Sequence, residues 1–247
     1  MNEELYEDEK KPLTEHLLEL RKCLIRSFIG WIFGAVISYI FAEKIITFLV
    51  SPLYNILPVS SNEVFFRAFT EVFGVYIKLS LIMGFIIGSP YIFFQIWSFL
   101  APGLYPHEKK WVKSAVILTS FSFIIGSFIA YYIFLPIILK FFYSFGKDFL
   151  VFKPFLKEYI SFVLKIFIIF GILFQVPSFL VLLAKLGLIN SENLKKFRAY
   201  AIILAFLISA ILTSGTDPLN QILLALPLTL LYEIGIILVR IIEIQRR

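Results

Sequence analysis

Two glutamates carry the most informative chemistry in this chain. Glu19 lies in Leu17-Leu-Glu-Leu-Arg21, and Glu108 lies in Tyr105-Pro-His-Glu-Lys-Lys110. Either carboxylate can pair with a cation on its own element, which is an ordinary solvated arrangement. Two carboxylates on one surface can instead grip guanidinium groups, because each accepts parallel N–H bonds from the planar fork of arginine. Glu108 belongs to a stiff stretch, residues 98–111. There Pro102 and Pro106 fix backbone angles and Gly103 permits a tight turn. Rigidity of that kind suits the presentation of a single carboxylate. His16 and His107 each neighbour one of the glutamates, but no His-Glu-x-x-His spacing joins them, and no metal site is expected.

A third polar group, Gln175, falls inside an apolar run two residues before Pro177. Its amide can satisfy the carbonyl that the proline frees, or it can serve as a polar contact in a cavity that faces a partner helix. Asp217, followed by Pro218, has the form of ordinary turn chemistry. Glu233, two turns from Arg240 and close to the interface, is read as structural, and Lys165 is expected to extend toward the membrane surface. No phosphate-binding loop, nucleophile elbow or cofactor fingerprint occurs, so no cofactor, nucleotide hydrolysis or enzymatic activity is expected.

The elements that must position these groups are set by composition. Hydrophobic residues make up 60% of the 247, which places the chain among all-α integral membrane proteins. One cysteine, Cys23, excludes an internal disulfide. Residues 1–11 are acidic and aperiodic and are expected to be disordered. Leu13, Leu17, Leu20 and Leu24 then open a helix that runs without a break into a first span at about 23–42. Further spans are expected at about 72–94, 114–135, 158–184, 199–212 and 222–239, all in one polytopic domain. Residues 43–71 are expected to form a loop, with a turn at Ser51-Pro52-Leu53 and a helix from Val64 capped by Ser60 and Glu63. Residues 136–157 form another loop, and Ser191 is the expected cap in the basic loop 185–198. Gly84 and Gly88 permit close helix packing, and Pro90 is expected to kink its helix. The fifth and sixth spans are short; the fifth, 14 residues, reaches only about 21 Å. Such mismatch thins the bilayer or requires shielding.

Six spans put both termini on one side. Fifteen lysines and arginines fall on that side and six on the other, which makes the richer side cytoplasmic. Glu19 and Glu108 then share the cytoplasmic surface. The net charge of +6 reflects this bias rather than nucleic-acid binding.

Four stretches carry a family likeness. Pro12-Leu-Thr-Glu-His-Leu-Leu-Glu-Leu-Arg-Lys22, Gln95-Ile-Trp-Ser-Phe-Leu-Ala-Pro-Gly-Leu-Tyr-Pro-His-Glu108, Phe174-Gln-Val-Pro177 and Tyr232-Glu-Ile-Gly235 resemble TatC, the core subunit of the twin-arginine protein translocase. The likeness runs from Pro12 to Arg240. It implies six helices in a curved, glove-like bundle in the bacterial inner membrane. It also implies a cytoplasmic receptor site for the signal peptides of folded export substrates. There the twin arginines would meet Glu19 and Glu108, with Leu20, Arg21 and Phe99 around them. TatA-like and TatB-like single-span partners, homo-oligomers within a receptor complex and transport driven by the proton-motive force follow from the same likeness. So do a partner-helix role at the position of Gln175 and an assembly role for Pro52. The family more often has Glu before Val-Pro; Gln175 keeps hydrogen bonding without a titratable proton. Where the family has a Pro-Pro-Asp turn, this chain has Thr213-Ser-Gly-Thr-Asp-Pro218, which matches Asp217 to that turn.

The rival readings are a small-solute secondary transporter and an intramembrane enzyme. The first would need mid-bilayer ionisable groups and repeated broken helices, and no internal repeat is evident. The second would need paired catalytic residues within the spans, and none occur.

Overall fold

The computed structural model describes residues 13–57, 64–103, 109–146, 153–212 and 218–246. All regular structure among them is helical, apart from one isolated parallel bridge between Phe65 and Phe155. The helices are α1 (Leu13–Ile40), α2 (Ala42–Tyr54), α3 (Phe69–Leu100), α4 (Val112–Ile129), α5 (Leu135–Gly146), α6 (Leu156–Leu173), α7 (Gln175–Lys185), α8 (Ser191–Lys196), α9 (Arg198–Leu212) and α10 (Pro218–Arg246). Among the described residues five segments are long and apolar enough to cross a membrane: Thr14–Ile40, Phe69–Gly103, Lys109–Ser144, Leu156–Lys185 and Leu224–Ile244. Arg198–Ile211 is apolar but shorter.

Helices α1 and α3 form an antiparallel pair. His16 stacks on Phe99 at one end, and Tyr39 meets Tyr76 edge-on at the other. Small residues set the approach between them. A Cβ on Gly34 would lie 2.4 Å from the Gly84 carbonyl oxygen, and one on Gly84 would lie 2.3 Å from the Ala35 nitrogen. The backbones therefore touch, as the glycines of α3 led one to expect. Pro90 lies inside α3, which continues to Leu100. The Ile86 carbonyl, deprived of its usual partner by Pro90, accepts the Ser89 hydroxyl instead.

The loop expected at residues 43–71 contains α2, and Pro52 sits within that helix. Leu49, Val50 and Leu53 form a buried helical stripe, and their burial outweighs the proline. Pro52 has no N–H for the Phe48 carbonyl, which accepts the Tyr131 hydroxyl and the Ser51 hydroxyl instead. Tyr159 donates to the neighbouring Leu49 carbonyl at 2.8 Å. The helix expected from Val64 is also absent. Phe65 is extended and exchanges backbone bonds with Pro154 and Leu156, and α3 starts at Phe69. Ser60 and Glu63 lie outside the described residues.

Pro136, expected in a loop, is helical. It lies in the first turn of α5, directly after a π-helical segment, Ala130–Phe134. The wider turn joins α4 and α5 into one long element that continues past the expected end of the third span. The fourth span divides at Phe174 into α6 and α7, with Pro177 in the first turn of α7, where a missing N–H costs least. Asn190, not Ser191, caps α8: its side-chain oxygen accepts the Asn193 N–H at 2.7 Å. Ser191 instead donates its N–H and its hydroxyl to the Glu243 carboxylate. The sixth helix is not short: α10 runs for 29 residues. The fifth, α9, is short, with 15. Glu233 takes a structural role, pairing with Arg198 at 2.6 Å. Arg198 opens α9, beside α10, so it reaches Glu233 across the helix pair.

The core lies around α6, whose Ile160, Val163, Leu164 and Phe170 are almost fully buried. That helix packs on α4 and α3 and touches α2.

Candidate functional site

The first site is the end of the α1–α3 pair at Leu100. The stretch expected to be a loop from Ser98 begins helically, with residues 98–100 in α3 and Ala101–Gly103 in a 3-10 turn, and residues 104–108 lie outside the described residues. One helical turn separates His16, Glu19 and Leu20 on the face toward α3, and Cys23 follows with its thiol 3.3 Å from the Gln95 carbonyl oxygen. The same spacing leaves Arg21 exposed. Glu19 and Leu20 are half-buried, and one Glu19 carboxylate oxygen is shielded from solvent. The His16 ring lies 4.6 Å from that of Phe99, nearly parallel. Glu19, Leu20 and Phe99 are thus gathered at one mouth, with Arg21 beside them. Trp97 ties this end to α4 through the Thr119 hydroxyl, and Lys110 and Lys185 both lie over the Trp111 ring. Glu108 and His107 lie outside the described residues, as does Asp217. Among the described residues no three His, Cys, Asp or Glu side chains gather as a metal would require.

The second site is an apolar groove of about 390 Å³ bounded by α1, α3, α4, α6 and α7. Trp31, Phe85, Phe93, Phe123 and Ile172 line it, together with Gln175. The Gln175 amide nitrogen donates to the Thr119 carbonyl at 3.1 Å. Because a backbone carbonyl only accepts, this bond fixes the amide's orientation and turns its oxygen elsewhere. The residue therefore bridges α7 to α4; the bond goes to a neighbouring helix rather than to the carbonyl freed by Pro177.

Pro52 lines a smaller recess of about 320 Å³ with Phe48, Tyr131, Tyr132 and Pro136. The hydroxyls of Tyr131 and Tyr159 were not singled out from sequence. The signal available was Pro52 itself, which in a helix must leave the Phe48 carbonyl in need of a donor. Lys78 was likewise missed. It sits in an apolar run, and its ammonium donates to the Ser161 hydroxyl at 2.9 Å.

These features define a polytopic helical membrane protein with a half-buried carboxylate at one mouth and an apolar groove holding one amide. A family model described as Sec-independent protein translocase protein (TatC) matches residues 15–227. The chain belongs to this family. It is 41% identical to the TatC protein of Desulforapulum autotrophicum over 95% of this chain and 86% of the relative. To the Aquifex aeolicus protein it is 43% identical, over 92% and 94% respectively. To that of Escherichia coli it is 34% identical, over 93% and 88%. A crystal structure of the twin-arginine translocase receptor TatC superposes with a TM-score of 0.78 at 39% identity, covering 94% of this chain and all of that one. The small-solute transporter reading finds no support among these relatives.

Proposed function

We propose that this chain is the receptor of a twin-arginine translocase, recognising the cationic doublet of export signals with Glu19 and Glu108. As a TatC-family protein it is a core translocase subunit. In this reading six helices cross the inner membrane, α9 being the short one, and both termini face the cytoplasm. The observation that carries the reading is the placement of Glu19. It is half-buried, three residues along α1 from the His16 that stacks on Phe99, at the C-terminal end of α3. A partly desolvated carboxylate strengthens a charge-assisted bond to arginine and discriminates against groups that cannot fork. Leu20, Phe99 and the exposed Arg21 form the rest of the patch. The groove around Gln175 would take an apolar segment, either that of the signal or that of a TatA-like or TatB-like partner helix, with the amide oxygen as its one polar anchor. Pro52, by docking α2, and Asp217 serve assembly and transport. Transport would draw on the proton-motive force, with no cofactor and no catalysis in this chain.

The test is photo-crosslinking of a twin-arginine peptide to the full chain in membranes. Glu19→Ala and Glu108→Ala should each reduce labelling at least tenfold, and a twin-lysine peptide should label more weakly than the arginine one. Unchanged labelling in both variants refutes the site.

A further inference from the structure

At the other end of α3, a polar cleft of about 400 Å³ opens between the first turns of α3 and α6. Three cations, Arg67, Lys78 and Lys157, line it with Glu71, Glu158 and Ser161. The carboxylates are already engaged. Glu71 accepts the backbone N–H groups of Arg67 and Lys157 at 2.8 and 3.1 Å, closing the N-terminus of α6. Glu158 lies 3.4 Å from the Arg67 guanidinium, which also stacks over the Phe155 ring. Lys78 donates one of its three ammonium protons to Ser161, which leaves two for a ligand. The cleft therefore holds three cations against two occupied carboxylates, with hydrogen-bond donors converging from two helices.

Its depth identifies the ligand. Phe69, which opens α3, is 92% exposed, and Phe66 and Phe73 are exposed beside it. Bare phenyl rings beside the charged Arg67 and Glu71 at the start of an apolar helix place this end at the membrane–water boundary, because the rings favour lipid and the charges favour water. Lys78 lies nine residues further along, about 14 Å into the apolar run. Its side chain leans back toward the helix N-terminus, so its ammonium reaches up into the cleft from below. A cationic cleft at this level lies where phospholipid phosphates lie. We propose that it binds the phosphodiester of an anionic phospholipid in the leaflet at the N-terminal end of α3. Lys78 and Lys157 hold the phosphate, Arg67 adds the rim charge, and the acyl chains run down the outside of α3 and α6.

The test uses the full chain purified in detergent and native mass spectrometry with added phosphatidylglycerol, phosphatidylcholine or inorganic phosphate. Phosphatidylglycerol should be retained at least tenfold better than phosphatidylcholine, and excess inorganic phosphate should not displace it. Lys157→Gln should reduce that preference severalfold, and Lys78→Gln with Lys157→Gln should abolish it. Lys140→Gln, which removes an exposed cation of α5 outside the cleft, should leave it intact. Circular dichroism verifies the fold of each variant, and Lys157→Gln alone decides if the double variant does not fold. Equal retention of both lipids, displacement by inorganic phosphate, or an unaltered preference in the Lys157 variant overturns the assignment.

Discussion

Replacing Tyr131 by Phe tests how this protein tolerates a proline inside α2. Pro52 removes the N–H that would serve the Phe48 carbonyl, and the Tyr131 hydroxyl supplies a replacement. Tyr131 is 5% exposed and Pro52 is buried, so water does not readily substitute. A buried acceptor left short of a donor costs about 1–3 kcal/mol. Here the Ser51 hydroxyl also donates to that carbonyl, which places Tyr131→Phe near the lower end, about 1 kcal/mol. Pro52→Ala restores the backbone donor. In that background the hydroxyl is redundant, and Tyr131→Phe should cost close to nothing. The double-mutant cycle therefore has a coupling of about 1 kcal/mol, roughly a fivefold change in the unfolding equilibrium. Backbone-entropy effects of Pro52→Ala occur on both sides of the cycle and cancel. The assay is reversible denaturation of the full chain in mixed micelles, followed by circular dichroism. Additivity of the two substitutions to within about 0.3 kcal/mol would refute the assignment of the hydroxyl to the proline's orphaned carbonyl.

Gly84→Ala places a methyl group against the backbone of Ala35 and should destabilise by about 3 kcal/mol, whereas Gly74→Ala, with open space around it, should stabilise by about 0.5–1 kcal/mol; the same denaturation assay reads both. Gln175→Leu removes one bond to a carbonyl inside α4, so stability should fall by no more than about 1 kcal/mol, while crosslinking of a partner helix to the groove should drop severalfold. Glu233→Ala breaks a pair whose side chains are 35% and 48% exposed, so its cost should stay below about 1 kcal/mol and shrink further in high salt.

The long apolar runs were legible because hydropathy over about 20 residues is a strong local signal. The α1–α3 seam was half legible: Gly84 and Gly88 announced close packing, but only the fold shows that Gly30 and Gly34 face them. Residues 43–71 misled for a definite reason. Pro52 reads locally as a turn, and the hydroxyls that make it acceptable come from Tyr131 and from beside it, a contact no local pattern encodes. Pro136 misled in the same way, since the π-helical turn ahead of it has no sequence signature. The length of α10 was underestimated because hydropathy marks only the apolar stretch 222–239, whereas the backbone helix continues on both sides of it, from Pro218 to Arg246. Of the candidate site, Glu19 was singled out by residue type and Leu20, Arg21 and Phe99 by the family resemblance; the antiparallel pairing that sets His16 against Phe99 is given by neither.

The glycine seam has a mechanical consequence. With backbone against backbone over the middle of α1 and α3, neither helix can slide past the other without driving Tyr91 or the Gly84 carbonyl into its neighbour. The pair behaves as a stiff plank. A cargo tugging on Glu19 would therefore tilt both helices together, and the give would come at the discontinuity after Phe174, where the ladder of α6 ends and that of α7 begins.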